Sequence, residues 1–221
     1  MFDQVLQIIA PHHCYGCGKI GQLLCVNCKY DIANEQILVC IVCQRPSIHG
    51  ICQMCRVPYQ KAWCVGERRD VLERLIDAYK FEHVRAAHMT LAELLNATLP
   101  VMPPGTVVVP LPTIRPHIRQ RGYDHMLLIA RAFVRMRHLR IDTSLRRTGI
   151  SKQLGSSRRE RTQQAKSAYS VAKKLDGSRP YLLLDDVFTT GASLHYAAEA
   201  LRVAGAHQVW VSVIARQPLD K

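Results

Sequence analysis

The stretch LLLDDVFTTGAS, residues 182–193, sets an apolar run against two adjacent carboxylates and then a cluster of hydroxyls around one glycine. Leu182 to Leu184 read as a buried strand. Asp185 and Asp186 resist burial unless something pairs with them, so the chain must turn into a site at this point. The following SLHYAAEALRVAG has helical spacing and ends at Gly205, a C-cap residue. Strand, loop and helix in that order bring backbone amides and the hydroxyls of Thr189, Thr190 and Ser193 to a helix N-terminus. That is an anion site, most naturally for a phosphate. Gly191 removes the Cβ that would block close backbone approach. Asp185 and Asp186 stand just upstream, where they can accept the vicinal hydroxyls of a sugar or hold Mg²⁺ through water. A ribose phosphate satisfies every group. A polar turn with a Ser or Thr cap accounts for a lone Thr-Thr-Gly, but not for the full order with its acidic pair. The loop is neither a Walker A sequence, which needs Gly-Lys-Ser or Gly-Lys-Thr, nor a Rossmann loop.

Outward from this stretch, QVWVSVIA (208–215) and VVVPLP (107–112) read as strands. YDHMLLIARAFVRMRHL (123–139) reads as a helix with Asp124 as N-cap, and residues 70–99 as one or two amphipathic helices with a break near Phe81 to Arg85. Strands alternating with helices predict an α/β domain with a mainly parallel sheet, whose ligands bind beyond the carboxyl ends of the strands.

Eight of the nine cysteines fall in four Cys-x-x-Cys pairs: Cys14 and Cys17, Cys25 and Cys28, Cys40 and Cys43, Cys52 and Cys55. The ligand type and count fit two tetrahedral zinc ions. Sequential pairing closes short loops and is favoured over an interleaved cross-brace, which needs loops several times longer. A thioredoxin-like redox role has no βαβ pattern to support it. His12, His13 and His49 lie close enough to substitute as ligands but read first as surface residues, and Cys64 reads as a buried core thiol. The expected division is a zinc-ribbon-like module over 1–62 and an α/β domain over 63–221.

With 48% apolar and 21% charged residues, the 221-residue chain can bury a full core and is not a disordered polymer. No window reaches the roughly 18 uninterrupted apolar residues of a membrane span. The opening MFDQVLQIIAPHH lacks a basic n-region, so a cytoplasmic location is expected, without membrane insertion. The net charge of +13 is concentrated: between Arg115 and Lys174 there are 16 Lys and Arg against three acids, and 14 against 14 elsewhere. Such a surplus predicts polyanionic partners, nucleic acid or a polyphosphate. With 6% aromatic residues, stacking platforms are few; Tyr15, Tyr30, Tyr59 and Trp63 are the candidates.

LLLDDVFTTGAS resembles the phosphoribosyl pyrophosphate (PRPP) signature of type I phosphoribosyltransferases. Together with the paired-cysteine amino terminus, YKFEH (79–83), VVPLPTIRPHIRQRGYDH (108–125) and RRTGISKQLGSSRRERTQQAKSAYSV (146–171), it makes the chain similar to the ComF (ComFC) competence proteins along nearly its whole length. The resemblance implies a phosphoribosyltransferase-type domain in which Asp185 and Asp186 hold the ribose hydroxyls and Thr189, Thr190, Gly191, Ala192 and Ser193 wrap the 5-phosphate. It implies Arg115, Arg119 and Arg121 on the pyrophosphate side, with Mg²⁺ accompanying PRPP. Arg158, Arg159 and Arg161 would be catalytic groups on a loop that closes over the reaction centre. Tyr123-Asp124 departs from the Phe-Asn more usual in this family. The expected function is handling of incoming single-stranded DNA during natural transformation, with a competence helicase as a further partner. The alternatives are a metabolic phosphoribosyltransferase acting on a small nitrogen nucleophile, and an adaptor that has lost turnover.

Overall fold

Two nine-residue strands, β6 (Pro180–Phe188) and β7 (Gln208–Arg216), are buried along almost their whole length and form the centre of the sheet. The computed structural model describes residues 11–35, 38–148 and 168–218. Five strands lie in the order β1-β7-β6-β2-β3, with every pairing parallel. β1 is Lys61–Glu67, β2 Val107–Pro110 and β3 Arg140–Ile141. A parallel sheet must be covered on both faces, which explains the continuous apolar runs in β2, β6 and β7.

Period-two alternation divides the core. Leu182, Leu184 and Ile214 face a layer containing Leu75 of α2 (Asp70–Phe81), Leu94 of α3 (Ala87–Thr98) and Phe133 of α5 (His125–Arg137). Leu183, Val211 and Val213 face Leu194, Ala197 and Leu201 of α6 (Ala192–Val203). An antiparallel hairpin of β4 (Leu145–Arg147) and β5 (Tyr169–Val171) packs on that second face through Leu145 and Tyr169.

The paired-cysteine segment is split between the two faces. Cys14, Leu23 and Leu24 join the core of the first face, and helix α1 (Val26–Asn34) is tied to α3 by Lys29 and Glu93 at 2.7 Å. Ile41 and Tyr59 join the core of the second face, and the Ala62 amide donates to the His49 carbonyl at 2.9 Å.

The expected break near Phe81 to Arg85 is present, separating α2 from α3. Asp124 does cap α5, its carboxylate accepting from the Leu127 amide at 3.1 Å. Three elements differ from the sequence expectation. Residues 61–67, for which no element was expected, form edge strand β1, paired in parallel with β7. Strand β2 stops at Pro110 rather than Pro112. The segment after it is a short helix, α4 (Arg115–Arg121), with Pro116 in its first turn and Gly122 closing it at φ 78°. Among the described residues no helix is long and apolar enough to cross a membrane.

Candidate functional site

The chain leaves β2 through α4 and α5 toward β3 on one side, and leaves β6 through α6 toward β7 on the other. Between β2 and β6 the order of the sheet therefore reverses, and a crevice opens at their carboxyl ends. Pro110 and Leu184 are register partners there, and the Leu111 amide donates to the Leu184 carbonyl at 2.8 Å. Beyond that bond the two chains part, and the next residues of β6 are Asp185 and Asp186.

Both aspartates belong to the strand, which continues to Phe188. This shortens the anion loop expected from the sequence: the register with β7 runs through Asp185, Val187 and Phe188, and only Thr189 to Gly191 connect to the helix. Strand geometry also sends the two carboxylates to opposite faces.

Asp186 turns toward α2 and α5. Its Oδ2 accepts from Lys80 Nζ at 2.7 Å and from His125 Nε2 at 2.6 Å. His125 Nδ1 lies 3.1 Å from an Arg121 guanidinium nitrogen and 3.1 Å from the Thr113 hydroxyl. Arginine can only donate, so Nδ1 accepts and the ring proton sits on Nε2, facing Asp186. Burial alone would raise the Asp186 pKa; the His125 hydrogen bond and the Lys80 charge overcome it and hold the carboxyl well below its ordinary value.

Asp185 turns toward the face of α6 and the hairpin. It is half-buried, its Oδ1 accepts from the Asp186 amide at 2.9 Å, and no side chain among the described residues hydrogen-bonds to it. Burial, and then the charge of Asp186, push its carboxyl up to about 8. One aspartate is thus fixed as an anion by a cation and an imidazole, and its neighbour is left to meet a ligand.

Helix α6 starts at Ala192 with Gly191 as N-cap at φ 74°. A Cβ at Gly191 would lie 2.5 Å from Phe188 Cζ, so glycine is required by conformation and by space. The first intrahelical bond joins the His195 amide to the Gly191 carbonyl at 2.9 Å. The amides of Ala192, Ser193 and Leu194 precede it and have no intrahelical acceptor; that of Ala192 lies 3.4 Å from Thr190 Oγ1. Thr189 and Thr190 are exposed, and Ser193 is half-buried.

The three arginines grouped together from the sequence separate. Arg115 and Arg119 are exposed on α4, whereas Arg121 is buried against His125. Arg158, Arg159 and Arg161 lie outside the described residues. Lys80, Thr113 and His125 were not singled out, although YKFEH and YDH carried the resemblance. A short word in a sequence does not say which atoms meet.

The cysteines gather as two groups, Cys14 with Cys17, Cys25 and Cys28, and Cys40 with Cys43, Cys52 and Cys55; within each, the sulfurs all lie within 4.8 Å of one another. The Cys17 and Cys25 sulfurs are 3.7 Å apart, and those of Cys43 and Cys52 3.5 Å. A tetrahedron with zinc–sulfur bonds of about 2.3 Å has edges of about 3.8 Å, so the donor sets fit zinc. The grouping is the sequential one. His12, His13 and His49 belong to neither group. Cys64 is apart from both, its thiol donating to the Gly66 carbonyl at 3.0 Å and pushed by burial up to about 12.

Compared with proteins of known function, the chain is 24% identical over 201 residues to competence protein ComFC of Bacillus subtilis, covering 85% of this chain and 81% of that one. It is 29% identical over 181 residues to competence protein F of Haemophilus influenzae, covering 76% and 77%. The chain is similar to ComF competence proteins. No family model matches. Among solved structures, the allosteric regulatory enzyme of purine biosynthesis aligns at 18% identity and a TM-score of 0.43, over 57% of this chain and 25% of that one. A hypoxanthine phosphoribosyltransferase from Staphylococcus aureus aligns at 13% and 0.37, over 59% and 64%. The chain thus spans less than two thirds of either structure.

Among the described residues, several basic side chains of the segment from Arg115 to Lys174 lie on the surface. Arg115, Arg119, Arg131, Arg135, Arg146, Arg147 and Lys174 are exposed. Of the four aromatic residues considered for stacking, Tyr30 is 68% exposed, Tyr59 is buried, and Trp63 meets Trp210 edge-on at 5.9 Å. Tyr15 is half-buried, so among these four Tyr30 alone offers a mostly exposed ring.

Proposed function

We propose that this ComF-like chain binds PRPP with its Mg²⁺ in the crevice between β2 and β6, and handles incoming single-stranded DNA in the cytoplasm during natural transformation. The observation that carries the reading is the division of labour at the end of β6: Asp186 is neutralised internally by Lys80 and His125, while Asp185, on the opposite face of the strand, has no side-chain partner among the described residues.

In this reading the 5-phosphate rests on the first-turn amides of α6 and on Thr189, Thr190 and Ser193, where the helix dipole favours an anion. Asp185 accepts the ribose hydroxyls or shares them with Mg²⁺, while Asp186, paired with Lys80 and His125, holds the end of β6 in place. Arg115 and Arg119 face the charge that develops on a departing pyrophosphate, the place where transfer chemistry needs fixed cations. Arg121 acts indirectly, orienting His125. Arg158, Arg159 and Arg161 are assigned to closure over the reaction centre. Residues 1–62 act as the zinc-bearing module of a domain spanning 63–221, with zinc supplying structure. The exposed basic side chains take the DNA phosphates, and a competence helicase is the partner that the resemblance implies.

Calorimetry with PRPP and Mg²⁺ tests the first half. Saturable binding by the wild type that Asp185→Asn abolishes is the expected result; equal binding by both removes the site. For the second half, single-stranded DNA affinity should fall steeply between about 50 and 200 mM salt. Release of pyrophosphate with a free nucleobase, and no DNA affinity, would favour the metabolic enzyme instead.

A further inference from the structure

The second cysteine group lies beside the phosphate loop. A cavity of about 300 Å³ is walled on one side by Val42, Arg56 and Val57, and on the other by Thr190, Gly191 and His195. Resting on the sugar-phosphate reading above, we infer that the second cysteine cluster is part of that site: Arg56 contacts the ligand's phosphate, so zinc in this cluster, and not in the first, sets the affinity.

Three observations lead there. Arg56 follows Cys55, a member of the sulfur group, and precedes Val57, which packs on the second-face core. Its backbone is therefore held at both ends once the sulfurs are bridged. Its side chain is exposed and enters no hydrogen bond or ion pair among the described residues, so the guanidinium can turn to an anion.

The same cluster also supports the loop mechanically. Ile41 and Tyr59 share a core with Phe188, Leu194 and Ala197, and Phe188 fills the space beside Gly191. Loosening the cysteine loop releases the packing that holds Phe188 against the glycine, and with it the aim of the first-turn amides.

Among the described residues the first cluster has no such connection. Cys14, Leu23 and Leu24 pack with the opposite core, under α2, α3 and α5. Each module offers four thiols to one ion, yet among the described residues only the second module lines the cavity at the phosphate loop. His195 also lines the cavity, with Nε2 3.5 Å from Glu199 Oε1, and is the second group positioned to receive a phosphate oxygen.

The test is calorimetry of ribose 5-phosphate against the full-length, zinc-loaded chain, with bound zinc counted for every variant. Arg56→Ala should keep both ions and lose about tenfold in affinity, the order expected for one charge-assisted contact. Arg45→Ala, an exposed arginine in the same cysteine loop and outside the cavity, should change nothing, which separates a contact from general charge. Cys52→Ser should lose one zinc and weaken binding, while Cys17→Ser should lose one zinc and bind as the wild type does. Arg56→Ala binding within twofold of the wild type overturns the contact, whether or not the cysteine variants fold. Equal losses in Cys17→Ser and Cys52→Ser overturn the selective role of the second ion. A wild type that binds neither ribose 5-phosphate nor PRPP with Mg²⁺ overturns the sugar-phosphate reading itself, and this inference with it.

Discussion

His125 donates its Nε2 proton to Asp186 Oδ2 across 2.6 Å, joining the start of α5 to the end of β6. Lys80 reaches the same oxygen from α2, and the side chains of Lys80 and Asp186 are 16% and 11% exposed. This buried cluster holds both sides of the crevice together.

Asp186→Asn leaves Lys80 buried without its counter-charge, and a loss of about 3–5 kcal/mol is expected from breaking such a pair. Because the folded-state pKa of Asp186 is depressed, its stabilising effect is present above the ordinary carboxylate value of 3.8 and is lost as pH falls through the lower folded value. Denaturant melts at neutral pH check the magnitude. A variant as stable as the wild type would mean that the pair is solvated.

Asp185→Asn should do the opposite. The folded carboxyl is raised from 3.8 to about 8, so across that interval the folded protein keeps a proton that the unfolded chain has released, and stability from this group falls as pH rises. The amide variant escapes that loss. Its melting temperature should gain on the wild type as the pH is raised through the interval, while PRPP binding disappears. A melting difference independent of pH would exclude Asp185 as the titrating group. In the wild type, PRPP affinity should rise with pH over the same interval.

Gly191→Ala places a Cβ 2.5 Å from the Phe188 ring, at φ 74°. A positive φ alone costs about 1 kcal/mol or more for a non-glycine residue. The variant should lose stability by somewhat more than this and lose sugar-phosphate affinity. Gly191→Ala combined with Phe188→Leu should recover part of the affinity by removing the collision but not the dihedral cost. No recovery would show that the dihedral dominates.

Chelation or acidification should release two zinc ions per chain, since thiolates must stay deprotonated to ligate. Cys17→Ser and Cys43→Ser should each leave one ion. Release of both by either substitution would mean that the clusters are coupled, against their separate packing on the two faces of the sheet.

Much of this architecture could be read from residue order. The strand LLL, the helix after Gly191 and the Asp124 cap are local preferences, settled within a few residues of chain. Four Cys-x-x-Cys pairs carried their own ligand count. Edge strand β1 was not legible, because it depends on a neighbour supplied from elsewhere, β7; helix α4 was passed over although Pro116 and Gly122 bracket it locally.

Sequence by itself determined the alternation of strands and helices, the glycine at the phosphate loop and the eight thiols, all consequences of short-range sterics and ligand chemistry. Tertiary structure alone decided that adjacent aspartates have different employments. A strand's two-residue period turns Asp185 and Asp186 to opposite faces, and only the packing of α2 and α5 brings Lys80 and His125, distant in the chain, onto one of them.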